Sequence, residues 1–162
     1  MKKFFYLGLA AAIALSMFFL TGCGDDDNGT NPPGGEYMRA DISGDVELDF
    51  EAKLIVYLKS DAIEFLSGYT GDNQNSDFLQ LQLQDIPEGA QTLELKGASG
   101  VHQASFIKFN AAVPLTYTAY EGEIKIIENN SGRIKGTFNF KAKNAAGNEI
   151  QVNIGDFAVN KD

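Results

Sequence analysis

Apolar and polar side chains alternate with a period of two through most of the chain after residue 36. Leu79, Leu81 and Leu83 alternate with three glutamines, and residues 133–143 place apolar side chains such as Phe138 and Phe140 on one face. This period is typical of β-strands that bury one face and expose the other. No segment beyond residue 36 keeps the 3.6-residue period of a helix over three turns. The pattern predicts a single all-β domain over residues 37–162.

Turn-forming residues separate the alternating runs. Asn129–Gly132 lies between the runs 123–128 and 133–143, and Asn144–Gly147 leads to the run 149–154. Both segments contain residues that tolerate positive φ, so they predict hairpins. We expect Gly155 to close a further turn into 157–159, which makes the C-terminal third a four-stranded meander. The whole domain is predicted to be an antiparallel β-sandwich or partly open barrel of about nine or ten strands.

The first 22 residues predict a signal peptide. Lys2 and Lys3 provide a basic start, and residues 4–20 carry no charge and are rich in Ala, Leu, Ile and Phe. This order is typical of exported proteins. The run ends in Leu20, Thr21, Gly22 and Cys23. These four residues resemble the bacterial lipobox, which implies cleavage between Gly22 and Cys23 and acylation of Cys23, the only cysteine of the chain. The alternative is an uncleaved signal anchor.

Residues 23–36 predict a flexible tether after the lipidated cysteine. Beyond Cys23, residues 24–36 are rich in Gly, Asp, Asn and Pro and offer no apolar side chain except the prolines, so burial cannot offset the entropy of ordering them. Asp25–Asp27 either keep this spacer solvated or resemble the surface-export signal of lipoproteins in Bacteroides-type bacteria. The resemblance implies an outer-membrane lipoprotein, at the cell surface in preference to facing the periplasm.

The C-terminal third resembles a family of small Bacteroides-type lipoproteins of unknown function. Residues 136–140 read Gly-Thr-Phe-Asn-Phe, residues 150–157 follow after a polar turn, and residues 122–126 match the strand that precedes them. The family pattern is Gly-Thr-Phe-x-Phe, a hairpin, then Val-x-Ile-x-x-Gly-x-Phe, and Gly155 here stands nearer to the preceding Val152 and Ile154 than in that pattern. The resemblance implies an all-β lipoprotein domain and no assigned activity.

Composition excludes several kinds of chemistry. The net charge of −9 disfavours nucleic acid as a partner, because phosphate binding needs a clustered basic surface. One Cys and one His cannot build a Cys-based zinc site or a His pair for a metal. Ser99 and His102 lie close in sequence but do not form the Gly-x-Ser-x-Gly elbow of a hydrolase, so we expect no catalytic role for them.

The segment 72–77 offers oxygen ligands of the kind that calcium prefers. The weak calcium candidates in it are Asp72, Asn73, Asn75 and Asp77. The segment lacks the glycine and the distal glutamate of an EF-hand loop, and an ordinary polar loop is the alternative interpretation. No other metal ligand and no catalytic residue is predicted, and the only expected modification is the covalent lipid on Cys23.

The sequence therefore predicts a lipoprotein with a non-enzymatic β domain for binding or envelope interaction. Its partners are the membrane, through the lipid anchor, and a glycan, a peptide or a small apolar ligand. One alternative is a hydrolase of surface polysaccharide or peptide that uses a carboxylate pair such as Asp45/Glu47 or Glu121/Glu123. Another is a lipocalin-like carrier of a small apolar ligand. Tyr117 and Tyr120 are expected on opposite strand faces, so they cannot form one flat sugar platform.

Overall fold

Ten antiparallel strands account for most of the residues that the computed structural model describes, which are 35–72, 75–109 and 113–161. The predicted signal peptide, Gly22, Cys23 and nearly all of the tether lie outside these residues, as does Asn73. The strands are β1 (Tyr37–Gly44), β2 (Leu48–Glu51), β3 (Leu54–Ser60), β4 (Ile63–Tyr69), β5 (Phe78–Gln84), β6 (Gln91–Leu95), β7 (Gln103–Lys108), β8 (Leu115–Asn129), β9 (Arg133–Lys143) and β10 (Glu149–Asn160).

All ten strands belong to one sheet. Its order is β2-β1-β10-β9-β8-β7-β5-β4-β3, and β6 pairs with β8 beside this path. Strand β8 is long enough for two partners on the same edge: its start pairs with β7 and its second half pairs with β6. The prediction of an all-β antiparallel fold of nine or ten strands is confirmed, and of its two alternatives the partly open barrel describes this single sheet.

The sheet is strongly curled into a half-barrel, so strands from its two ends approach each other. Gly68 of β4 faces Met38 of β1, and a Cβ on Gly68 would lie 2.9 Å from the Met38 sulfur. The backbone N–H of Ala52, in the link from β2 to β3, donates to the carbonyl oxygen of Met38 at 2.9 Å. A side chain on residue 68 would push these strands apart, because cores leave no room for an added methyl group.

The inner face of the half-barrel is packed with apolar side chains. It includes six buried aromatic rings, namely Phe50, Phe106, Tyr117, Phe138, Phe140 and Phe157. Phe106 packs edge-on against Phe50 at 6.4 Å between ring centroids. Burial of one such side chain stabilises the fold by roughly 1.5–3 kcal/mol. The described part of the chain contains no helix that is long and apolar enough to cross a bilayer.

Strand β10 differs from the sequence prediction at residues 153–155. The expected turn at Gly155 is wrong: β10 continues to Asn160 through a bulge between Val152 and Gly155, so the C-terminal third has three strands instead of four. The bulge shifts the alternation by one residue, and Ile154 is 73% exposed although Ile150 and Val152 are buried. Gly155 lies against the Phe138 ring, where a Cβ would approach to 2.2 Å.

Candidate functional site

An open groove of about 660 Å³ lies at one end of the half-barrel, and we call it the end groove. Its volume is within the range of about 300–1,000 Å³ that is usual for small-ligand sites. Eight of its ten lining residues have side chains with a charged or polar group, the Tyr57 hydroxyl included, in contrast to the apolar core beside it. The lining residues are Tyr57, Leu58, Lys59, Glu64, Ile86, Glu88, Asn129, Asn130, Ser131 and Lys161.

The β3–β4 hairpin places two charged residues of the groove opposite each other. Asp61 adopts φ of 53° in the turn, a conformation that Asp tolerates because its side chain can bond locally. The turn sets a register in which Lys59 pairs directly with Glu64. The Lys59 Nζ donates to Glu64 Oε1 at 3.4 Å. Cross-strand pairs of opposite charge stabilise a hairpin, so this local sequence fixes one side of the groove.

Lys161 reaches the same carboxylate from the end of β10, a strand that is not a neighbour of β4 in the sheet. Its backbone N–H donates to the Gly132 carbonyl oxygen at 3.0 Å, which holds the residue beyond the end of β10. Its Nζ lies 3.0 Å from Glu64 Oε2 and donates to Asn129 Oδ1 at 2.6 Å. Asn129 in turn donates through Nδ2 to the Pro87 carbonyl oxygen at 2.6 Å. The chain of contacts ties β4, β8 and the end of β10 together at the floor of the groove.

Glu64 is a charged residue almost completely buried in the groove floor. Its side chain is 4% exposed, and the Lys161 side chain is 10% exposed. Although the Lys161 ammonium is close to Oε2, the contact lacks hydrogen-bond geometry, and Oε2 has no hydrogen-bond donor among the described residues. A buried carboxylate oxygen normally accepts hydrogen bonds, so Oε2 is an exception whose charge is compensated by the nearby Lys161 ammonium.

Tyr57 completes the polar floor. Burial raises the pKa of Tyr57 to about 12, and the negative charge of Glu64 and a hydrogen bond to Glu64 add to this effect. The phenol therefore stays protonated and can donate to the carboxylate. The Lys161 Nζ lies 6.0 Å from the centre of the Tyr57 ring. Glu64 thus faces two ammonium groups and one hydroxyl, which keeps its charge compensated in a buried position.

The rim of the groove carries polar groups with no partner in the protein. Ser131 and Glu88 make no hydrogen bond or ion pair with another described residue. Asn130, next to Ser131 in the turn from β8 to β9, does have partners: its Oδ1 accepts hydrogen bonds from the backbone N–H groups of Gly132 and Arg133, both at 2.9 Å. These two hydrogen bonds from the backbone to the Asn130 side chain fix the conformation of the loop that carries Ser131. The rim therefore offers a hydroxyl and a carboxylate to a molecule in the groove.

The calcium candidates do not come together as a ligand cluster in the described structure. Asp77 is buried and forms an ion pair with Lys108, and its Oδ1 accepts from the Phe109 backbone N–H at 2.7 Å. Asp72 and Asn75 are exposed. Among the described residues, no three His, Cys, Asp or Glu side chains group closely enough to hold a metal ion. The lysine on Asp77 would have to leave before this carboxylate could bind calcium.

Ser99 and His102 bind different partners. The Ser99 hydroxyl donates to the Lys96 carbonyl oxygen at 3.3 Å, and His102 Nδ1 accepts from the Gln84 backbone N–H at 3.2 Å. Burial lowers the pKa of His102, so its imidazole is neutral near pH 7. His102 precedes β7 and braces the end of β5.

The acidic pairs considered for hydrolysis have other contacts. Glu121 forms an ion pair with Lys141 at 3.2 Å, and Glu123 accepts from Asn139 at 3.3 Å, all on the outer face of the sheet. Asp45 accepts a hydrogen bond from the buried Tyr117 hydroxyl at the end of the half-barrel remote from the end groove. Tyr117 is buried and Tyr120 is partly exposed, so the prediction that these two tyrosines lie on opposite strand faces is confirmed.

Neither Glu64 nor Lys161 was identified from the sequence as a residue of a binding groove. A signal for Glu64 exists in β4, because Glu64 has the same strand phase as the fully buried Leu66. A charged residue in an otherwise apolar phase indicates a buried polar contact. No comparable signal marks Lys161, whose partners are 97 and 32 residues away in sequence.

The fold and the groove define a class: a single curled antiparallel sheet with a packed interior and a polar groove at one end. Residues 57–159 match a family described as a domain of unknown function, DUF6252. The match covers more than half of the chain, and the protein belongs to this family. The matched range includes the C-terminal signature at residues 122–157 and both strands of the β3–β4 hairpin from Tyr57 onwards. Searches of curated proteins and of solved structures give no match.

Proposed function

We propose that this protein is an outer-membrane-anchored lipoprotein whose β domain binds a ligand without converting it. The lipobox at residues 20–23, behind a basic start and an apolar run, supports anchoring through Cys23. Three acyl chains, at about 0.8 kcal/mol for each buried CH₂, would make attachment effectively permanent. The acidic stretch Asp25–Asp27 supports display at the cell surface in preference to the periplasmic side.

The binding half of the proposal is carried by the polar end groove. Soluble domains rarely bury a charged side chain such as Glu64 without a functional or structural reason. Here the buried charge opens onto a groove whose rim residues Ser131 and Glu88 have no partner in the described protein. Concave sites with a few convergent polar groups are where proteins usually bind small molecules.

The contacts of Glu64 and the exposed position of Glu88, the two carboxylates of the groove, favour binding without turnover. Glu64 is committed to Lys59, Lys161 and Tyr57, and Glu88 is exposed on the rim. A glycosidase needs two opposed carboxylates with different roles across one bond. The hydrolase alternative would have to use this mismatched pair. The carrier alternative has less support, because aromatic side chains fill the inner face of the half-barrel.

Anchoring is tested by Cys23→Ala in the native host. We expect this variant to leave the membrane fraction as an unlipidated precursor, whereas the wild type is membrane-bound and labelled by a fatty-acid probe. Thr21→Ala is the matched control, because alanine also fits the lipobox and should leave processing intact. Fractionation of Cys23→Ala as a mature, labelled lipoprotein would disprove the assignment of the leader.

Topology and activity need separate measurements. Protease added to intact cells should remove the domain if it faces the medium and should spare it if it faces the periplasm.

Incubation of the purified protein with a retained ligand, followed by mass spectrometry of that ligand, tests turnover. An unchanged ligand mass supports binding, and a cleaved product would establish the hydrolase alternative.

A further inference from the structure

We infer that the end groove takes a neutral, polyhydroxylated ligand, that is, an uncharged saccharide. The inference names the ligand class of the groove and therefore rests on the proposed function. Four charged residues line the groove, namely Lys59, Lys161, Glu64 and Glu88. Two positive and two negative groups leave the groove with no net charge for an ionic ligand to neutralise.

The position of each charge disfavours both kinds of ion. An anionic ligand would meet the unpaired carboxylate of Glu88 at the rim, on a chain that already carries a net charge of −9. A cationic ligand would meet the Lys59 ammonium, which is 56% exposed, and the Lys161 ammonium behind it. Like charges at close range in a partly desolvated site repel each other and weaken binding. An uncharged ligand avoids both penalties.

The free groups of the groove require a partner that donates and accepts hydrogen bonds. The Glu88 carboxylate, exposed at the rim, can only accept hydrogen bonds, whereas Glu64 Oε2 is buried below the surface of the groove and does not reach a ligand. Lys59 Nζ donates only, because one long contact to Glu64 leaves it N–H groups to spare. The Ser131 hydroxyl does both. A hydroxyl group on the ligand can serve each of the three positions at Glu88, Lys59 and Ser131, and a saccharide supplies such hydroxyl groups along its ring.

The groove also offers a small apolar surface for the C–H face of a sugar ring. Ile86 and the ring of Tyr57 line it and are partly exposed, and Leu58 is 51% exposed. Protein sites for peptides in extended form use a row of backbone N–H and C=O groups on a strand edge. The free groups here are side chains from three separate segments, at residues 59, 88 and 131, which fits a compact ligand better than an extended one.

The test is retention of the full chain, in a detergent without a sugar headgroup, on an oligosaccharide array. The array presents neutral, uronic-acid-containing and sulfated oligosaccharides of matched length, and a parallel array presents short peptides. We expect neutral oligosaccharides to be retained about tenfold more strongly than their acidic counterparts. Glu88→Gln should weaken this retention about tenfold and Ser131→Ala about fivefold, the loss of one hydrogen bond to a charged and to a neutral group respectively.

The matched controls are Glu47→Gln and Ser99→Ala, which change an exposed carboxylate and hydroxyl outside the groove and should leave retention unchanged. Stronger retention of acidic oligosaccharides, or neutral retention that Glu88→Gln and Ser131→Ala do not affect, would overturn the saccharide inference. Retention of peptides alone, lost in Glu88→Gln, would overturn it and leave ligand binding at the groove intact. No retention on either array would overturn the saccharide inference and the proposed binding function together.

Discussion

Replacing Lys161 by methionine tests whether the buried ion pair at the groove floor holds the half-barrel closed. The change keeps most of the side-chain volume and removes the charge from a contact whose partners are only 10% and 4% exposed. Removing one partner of a buried pair costs about 3–5 kcal/mol, because the other charge stays buried without compensation. Lys59 remains at 3.4 Å from Glu64 but is 56% exposed, so we take the lower limit of about 3 kcal/mol.

The assay is equilibrium unfolding in urea followed by circular dichroism, with a thermal melt that should fall by about 10 °C. Lys125→Met is the matched control: Lys125 is exposed on the outer face of β8, and its loss should change stability by less than about 0.5 kcal/mol. The double variant Glu64→Gln, Lys161→Met should recover part of the loss, since it leaves no unpaired charge. Equal stability of Lys161→Met and Lys125→Met would refute the role of this pair.

Three further predictions concern pH, packing and strand register. Because burial lowers the pKa of His102 below 6.5, the unfolded state binds the proton more readily, and stability should fall as pH drops below 6.5; NMR titration of this single histidine should give a midpoint below 6.5, and a higher midpoint would contradict the burial effect. Gly155→Ala should cost about 1–3 kcal/mol in urea unfolding through its clash with a core ring, whereas Gly132→Ala, whose Cβ would meet its nearest neighbour at 3.8 Å, should cost little; equal effects would exclude the close approach. Ile154→Ala should be nearly neutral in the same assay and Ile150→Ala should cost about 2–5 kcal/mol, and the reverse order would place the bulge wrongly.

The sequence predicts the fold class because the alternation of apolar and polar residues within each strand determines which face of that strand is buried. In β9 every second residue from Ile134 to Ala142 is buried, as the alternation requires. The same rule fails in β10, where Ile154 follows two buried residues in phase and is nonetheless exposed. A bulge adds one residue to a strand without changing its composition, so period counting alone cannot detect it. Gly155 is the local trace of the bulge, and it was interpreted as a turn.

The end groove depends on contacts that no local pattern encodes. Lys161 meets Glu64 only because the sheet curls far enough to bring the end of β10 beside β4. The curl in turn depends on the close packing of Gly68 against Met38. Sequence periodicity gives the buried face of each strand but not the order of strands or the curvature of the sheet. The one local indication of the site was Glu64, a charged residue at a position of β4 where the alternation predicts a buried side chain.

Binding at the end groove is tested most directly by ¹⁵N-labelled protein titrated with the neutral oligosaccharides while amide chemical shifts are recorded. We predict that the shifting amides cluster at Lys59, Glu88, Asn130 and Ser131, and that Glu88→Gln reduces their shifts at equal ligand concentration. Shifts confined to the outer face of β8–β10, or no shifts at saturating oligosaccharide, would contradict a saccharide site in the groove.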